Sequence, residues 1–255
     1  MVVFKSPAEL AVMREAGRIV AEMLAAVAAA AAPGVLPIDL DTLAAERIAA
    51  AGAKPSFLGY QPRWAPVPYP GVVCLSVNDE IVHGIPGRRP LRDGDLLTVD
   101  CGAYIDGYHG DAAVTVEIGS VGADARRLSA DTKRALAAGI AAAQVGNRIG
   151  DIAAAIAAIG RGAGYGIPAG LGGHGIGTAM HEDPPVPNTG RAGRGLPLRE
   201  GLVLAIEPQF TAGGSDAHRT RRDGWTVATT DGSLAAHWEH TIAVTADGPQ
   251  ILTAP

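Results

Sequence analysis

The 255-residue chain is predicted to be an α+β fold made of two related halves, on the strength of three internal echoes. Leu91 to Asp100 (LRDGDLLTVD) returns as Leu198 to Glu207 (LREGLVLAIE), a gapless step of 107 that ends on an acid in both copies. His83-Gly84-Ile85 returns as His174-Gly175-Ile176, and Asp39-Leu40 to Ala51-Gly52 returns as Asp151-Ile152 to Ala163-Gly164, a gapless step of 112. Self-similarity of this kind marks a duplicated architecture. It predicts one domain of two halves, about 1–120 and 121–255, with the acids at matched strand ends facing each other across a pseudo-two-fold axis.

In the first half, Ser6-Pro7-Ala8-Glu9 is a capping box with proline at the first helical position. Met13, Ile19, Val20, Met23, Leu24 and Val27 continue that helix until Pro33-Gly34 ends it. A second helix is predicted from about Asp39 to Ala51, closed by Gly52. Tyr60 to Gly71 carries four prolines and reads as an extended surface loop. Strands follow at Gly71 to Val77, Leu96 to Tyr104 and Tyr108 to Ile118, the last two joined by Asp106-Gly107, a strong hairpin signal. The second half repeats the order. Helices are predicted at about Asp124 to Gln144 and Asp151 to Ile159, the latter ended by the glycine-rich stretch 160–166. Strands come next at Leu202 to Phe210, Trp225 to Thr230 and Trp238 to Thr245, with Asp231-Gly232 as a turn. Helix pairs packed on one side of mostly antiparallel strands make the class α+β.

Nearly half of the residues are apolar, enough for a sizeable core. A formal charge of −5 and a pI near 5.8 weigh against sequence-independent nucleic-acid binding. Arg126-Arg127 reads as a solvated face with local ion pairs. The N-terminus has no apolar run behind a positive segment, so no secretory signal is expected. The longest apolar stretch, Met23 to Ala32, falls short of the roughly 20 residues a membrane span needs. Two cysteines, Cys74 and Cys101, without a CxxC pairing predict a reduced, cytoplasmic protein.

If Asp106-Gly107 is a two-residue turn, Ile105 pairs with Tyr108, Gly102 with Asp111 and Asp100 with Ala113. Asp100 and Asp111 are then diagonal neighbours on one face, about 7–8 Å apart at the backbone. Two carboxylates that close in a core repel each other unless a cation lies between them. Glu207 stands at the position equivalent to Asp100 inside an apolar run, Glu239 lies in the strand-like HWEHTIAV, and glycines flank His174 in GGHGIG. Four carboxylates and one imidazole suit two first-row divalent ions, Mn, Fe, Co or Zn, better than a thiolate-bound structural zinc. A close pair of such ions can hold a bridging hydroxide, so metal-assisted hydrolysis is the reaction class predicted first.

The segments VNDEIVHGIP, LLTVDCGAYIDGYHGD, GHGIGTAMHEDP, LAIEP, RRDGWTV and WEHTIAVT resemble the methionine aminopeptidases, in their bacterial type I form, over essentially the whole chain. The resemblance implies the pseudo-symmetric "pita-bread" fold. It also implies a dinuclear centre whose hydroxide attacks the scissile carbonyl, and removal of the N-terminal methionine of nascent chains when the second residue is small. By the same resemblance, Asp100 binds one ion, Asp111 and Glu239 bridge both, and His174 and Glu207 bind the second. Glu207 is also the general base, His181 hydrogen-bonds the scissile carbonyl, and His83 contacts the substrate beside the scissile amide.

Phe57, where the family often has cysteine, and Met180, where it often has an aromatic residue, are expected to line the methionine slot with Tyr60, Cys74 and Trp225. The loop after Tyr60 is longer than usual for the family. His109, His237 and His240 match no ligand position and are read as structural, and His218 as a loop residue near the site entrance. Prolidases and aminopeptidase P use the same ligands but carry a large extra domain in front. Fewer than a hundred residues precede Asp100 here, and the catalytic fold is expected to use them. Only 65 positions separate His174 from Glu239, little space for the insertion of the type II enzymes. A non-catalytic relative would have lost ligands, and all five are present. Expected partners are methionyl peptides of nascent chains and a transient ribosome contact, with no nucleic-acid readout, no membrane and a monomeric state.

Overall fold

A computed structural model describes residues 2–254. The first helix, α1 (Pro7–Ala30), starts where the capping box predicts. The Ser6 N–H donates to Glu9 Oε2 at 2.7 Å, and the Glu9 N–H donates to Ser6 Oγ at 3.4 Å. The remaining helices are α2 (Pro37–Ala50), α3 (Ala123–Ala142) and α4 (Ile149–Gly162). From α1 and α2 to α3 and α4, three boundaries repeat at one interval: Ala30 to Ala142, Pro37 to Ile149 and Ala50 to Gly162 are all steps of 112.

Both second helices begin two residues before the expected aspartate. The α2 helix opens on Pro37, whose missing N–H is no loss in a first turn. In α4 the Asp151 carboxylate reaches back to accept the Arg148 N–H at 2.7 Å, so this acid caps the first turn and does not start it. The α4 helix also runs three residues past Ile159, because Gly160 lets it pack on Phe210, whose ring lies 2.7 Å from where a Cβ would stand.

The strands are β1 (Lys54–Pro55), β2 (Cys74–Val77), β3 (Glu80–Val82), β4 (Leu96–Ile105), β5 (Tyr108–Glu117), β6 (Gly172–Gly175), β7 (Glu182–Pro187), β8 (Val203–Ile206), β9 (Gln209–Thr211), β10 (His218–Thr220), β11 (Val227–Thr229), β12 (Ala235–His237), β13 (Glu239–Thr245) and β14 (Gly248–Ile251). The main sheet is antiparallel in the order β1-β4-β5-β13-β8-β6-β7, with β2 also on β4 and β14 on β13. Asp106 and Gly107 both have positive φ, 48° and 91°, as a tight hairpin turn requires. That turn sets the register as read: Ile105 pairs with Tyr108, Gly102 with Asp111, and Asp100 with Ala113.

Strand alternation then sorts β4 by face. Leu97, Val99, Cys101 and Ala103 pack with Val20, Met23, Leu40 and Ile48 of α1 and α2. Asp100 points the other way. A second core joins Leu128, Ile152 and Ile156 of α3 and α4 to Leu204, Ile206 and Phe210. Close approach of α1 to the sheet depends on glycine, since a Cβ on Gly110 would fall 2.9 Å from the Gly17 nitrogen.

Three expected strands are shorter or broken: the first, Gly71 to Val77, begins only at Cys74, because the Val72 and Val73 N–H groups donate to Asp41 Oδ1 at 2.7 and 3.0 Å. Leu202 to Phe210 divides into β8 and β9, which belong to different sheets, because Pro208 has no N–H to continue the ladder. Glu207 sits at that break. Trp225 precedes β11 and lies in a turn, where the Asp223 carboxylate accepts its N–H at 2.8 Å. Among the described residues, no helix is long and apolar enough to cross a membrane.

Candidate metal centre

Asp100 and Asp111 are delivered by the paired strands β4 and β5, Glu239 by the start of β13, Glu207 by the β8 break and His174 by β6. All five line one cavity of about 300 Å³. His174 Nε2 lies 3.6 Å from Glu207 Oε1 and 3.8 Å from Asp111 Oδ2. Donor atoms of Asp111, His174 and Glu239 fall within 4.8 Å of one another, as do those of Asp100, His237 and Glu239, so Glu239 is common to two adjoining groups.

This arrangement is electrostatically incomplete. Asp100 Oδ1, Asp111 Oδ1 and Glu239 Oε1 are buried without a hydrogen-bond partner. No Lys or Arg among the described residues forms an ion pair with any of the four carboxylates. Burial pushes the Asp100 carboxyl up to about 7. Burial, and then the charge of neighbouring acids, raises Asp111, Glu207 and Glu239 well above the carboxylate range. Orphaned oxygens in such a cluster are expensive to bury, and bound divalent cations remove the cost. The donor set therefore fits metal ions.

Supporting hydrogen bonds orient the donors. His174 Nδ1 lies 2.8 Å from the Gly175 carbonyl, which holds the proton on Nδ1 and leaves the Nε2 lone pair toward the acids. Burial lowers the imidazole to about 4, so it is neutral and able to ligate. Gln209 Nε2 donates to Glu207 Oε2 at 2.6 Å, while Asn188 Nδ2 donates to Gln209 Oε1 at 2.8 Å and to the Glu207 carbonyl at 3.0 Å.

The same cavity is lined by the expected pocket residues Phe57, Tyr60, Cys74, Met180 and Trp225, joined by Tyr69, with Trp64 at its rim and Cys74 paired directly with Asp100 across β2 and β4. Gly102 makes space for this wall. A Cβ there would fall 2.8 Å from Ser56 Cβ and 3.0 Å from Phe57 Cε1. His83 follows β3 with φ of 60° and lines the cavity, its Nδ1 buried without a partner. His181 stands over His174 with ring centroids 4.1 Å apart. Burial lowers His83 to about 4 and His181 to about 3, so both are neutral near pH 7.

The model of metallopeptidase family M24 matches residues 11–246. Methionine aminopeptidase 1 of Mycobacterium tuberculosis is 50% identical over 256 residues, which covers 98% of this chain and 94% of that protein. The chain belongs to the methionine aminopeptidases of family M24. The crystal structure of a methionine aminopeptidase from Thermotoga maritima has a TM-score of 0.96 at 38% identity and covers 100% of both chains. The prolidase of Pyrococcus horikoshii, at TM-score 0.78 and 21% identity over 64% of its own chain, shares the fold alone. The architecture is thus the duplicated pita-bread fold, and the chain is a metallo-exopeptidase.

Within this chain, some residues differ from their sequence reading. His237, read as structural, has Nε2 only 3.6 Å from both Glu207 and Glu239. Alternation along HWEH puts residues 237 and 239 on one face, a signal present in the sequence. His218, read as a loop residue near the entrance, starts β10 and pairs with Thr229 of β11, and its Nε2 lies 2.9 Å from the Ala169 carbonyl; it is not among the residues that line the cavity. His109 and His240 are tied to Ser56 and Thr253, each at 2.8 Å. Trp64, Tyr69, Asn188 and Gln209 carried no motif that singled them out. Arg126 and Arg127 pair with Glu117 and Asp124, while Arg221 clamps Asp79 and Glu80 beside β3.

Proposed function

We propose that this chain removes the N-terminal methionine from peptides and nascent proteins whose second residue is small, with two divalent ions held by Asp100, Asp111, His174, Glu207 and Glu239. The observation that carries this reading is that Asp100, Asp111, His174, Glu207 and Glu239, three of whose carboxylates bury an oxygen without a partner, line one cavity together with the apolar side chains of Phe57, Tyr69, Met180 and Trp225. Mn, Fe, Co and Zn all suit the mixed oxygen and nitrogen donors. When bound, such ions activate water and polarise a carbonyl.

The protein's own groups supply the rest. Phe57, Tyr69, Cys74, Met180 and Trp225 offer an apolar slot for an unbranched thioether. Burial pushes the Cys74 thiol up, so it stays uncharged and acts as wall. Glu207, its Oε2 held by Gln209, is suited, once bound cations have displaced its proton, to take a proton from the attacking water and return it to the leaving amine. The Tyr60 hydroxyl lies 2.9 Å from His181 Nδ1. When Tyr60 donates, the imidazole proton stays on Nε2, which then donates to the scissile carbonyl and to the oxyanion that develops from it. His83, also neutral, lines the cavity, and the space beside it is read as the limit that keeps the second residue small. The substrates are read as cytoplasmic nascent chains, and a transient ribosome contact follows from that reading alone.

The decisive experiment is hydrolysis of Met-Ala-Ser and Met-Leu-Ser by metal-stripped protein after titration with each ion, beside a Glu207→Gln variant. The expected outcome is metal-dependent methionine release from the first peptide only, lost in the variant. Metal binding without release from either peptide would reject the assignment.

A further inference from the structure

One side chain at the rim of the cavity has no part in the steps above. Trp64, in the proline-rich loop after Tyr60, is 60% exposed. Its ring nevertheless lies nearly parallel to His83, with centroids 6.0 Å apart and planes at 22°, and meets Trp225 edge-on at 5.0 Å. The loop around it is pinned. Ala65 is buried and its N–H donates to the Pro62 carbonyl at 3.0 Å, while Trp225 Nε1 donates to the Val67 carbonyl at 2.9 Å. Pro66 rests on Gly224, where a Cβ would fall 2.5 Å from Pro66 Cγ. The Gly59 N–H donates to the Tyr69 carbonyl and the Tyr69 N–H to the Tyr60 carbonyl, both at 2.9 Å, closing the base of the loop. A large aromatic side chain is thus held in place while most of its surface faces water.

We propose that Trp64 is a specificity-determining residue that binds the third residue of the substrate and favours an aromatic or large aliphatic side chain there. The proposal rests on the reading of the cavity as a methionine-release site. With methionine in the apolar slot and the scissile amide beside His83, the residues that follow would pass the exposed ring that stacks on His83, which is Trp64. An indole already ordered loses little conformational freedom when covered, and it offers both apolar area and a stacking face. The contact is remote from the reacting atoms and equal in ground and transition states, so it lowers KM and leaves kcat untouched. An aromatic contact of ordinary strength corresponds to a preference of about three- to tenfold.

The test measures kcat and KM for Met-Ala-Ser, Met-Ala-Leu and Met-Ala-Trp with the metal-loaded wild type, Trp64→Phe and Trp64→Ala. The expected result is a KM about three- to tenfold lower for the leucine and tryptophan peptides in the wild type. That preference survives in Trp64→Phe and disappears in Trp64→Ala, so the readout is the ratio between peptides, which a purely structural loss would not move. Equal KM values for the three peptides in the wild type would overturn the proposal, as would an alanine variant that weakens all three alike. Failure of the wild type to release methionine from any peptide is a different signature: it removes the underlying function reading, and this inference with it.

Discussion

The Tyr60 hydroxyl lies 2.9 Å from His181 Nδ1, and the two rings stack with centroids 5.3 Å apart and planes at 20°. This pairing joins the apolar wall to the histidine proposed to hydrogen-bond the scissile carbonyl. Removing the hydroxyl alone, in Tyr60→Phe, keeps the stacking and frees the imidazole to place its proton on either nitrogen. The expected effect is a fall in kcat of roughly tenfold with little change in KM, the signature of a contact that matters in the transition state. Steady-state kinetics on Met-Ala-Ser checks it, and a rise in KM at constant kcat would assign Tyr60 to substrate binding alone.

Metal binding should release protons. In the metal-free protein burial pushes the Asp100 carboxyl up to about 7, and burial with neighbouring acids raises Asp111, Glu207 and Glu239 well above the carboxylate range, so the cluster holds protons at pH values where free carboxylates have lost them. His174, lowered to about 4, is already neutral and gives up none. A cation must displace the carboxyl protons, so apparent affinity strengthens as pH rises from 6 toward 8. The slope is about one logarithmic unit of Kd per pH unit for each proton released. Calorimetric titration with Mn at pH 6.5 in buffers of different ionisation enthalpy measures the release. Heats that do not depend on the buffer would contradict the raised carboxyls.

Gly102→Ala should destabilise the protein at the pocket wall. The new methyl would stand 2.8 Å from Ser56 Cβ and 3.0 Å from Phe57 Cε1, and both residues are buried. Overpacking of this kind costs about 1–3 kcal/mol. Thermal melting reports the loss, and the displaced Phe57 ring should also raise KM for methionyl peptides. A variant with wild-type melting and kinetics would mean that the wall yields freely.

What the sequence made legible follows physical range. The Asp106-Gly107 turn is local, so the register that brings Asp100 beside Asp111 could be read directly. The step of 107 carried Glu207 to the equivalent position without any tertiary information. Pro208 announced the break between β8 and β9, although the run LVLAIEP reads as one strand when hydrophobicity alone is followed. His237 was legible by alternation with Glu239 but lay outside every ligand spacing. The position of Trp64 was not legible at all. It depends on Trp225, Gly224 and His83, which are distant in the chain, and a proline-rich loop has no periodicity to report which side chain stands at the cavity rim.

Gln209 tests whether the groups behind the ligands matter as much as the ligands' own chemistry. Its side-chain nitrogen donates to Glu207 Oε2 at 2.6 Å, and its oxygen accepts from Asn188, so a buried chain of two amides fixes the orientation of one carboxylate. Gln209→Ala leaves Glu207 in place but lets it rotate, and it also strips Asn188 of a partner. Such outer-shell losses cost about 10–100-fold in metal affinity or activity. Competition with a fluorescent chelator gives the affinity directly. Asn188→Ala should produce a smaller effect in the same direction, because Gln209 keeps its own bond to Glu207. If the two variants bound metal as tightly as the wild type, Glu207 would have to be held by the cation and its backbone alone, and the amide chain would be packing without a role in the centre.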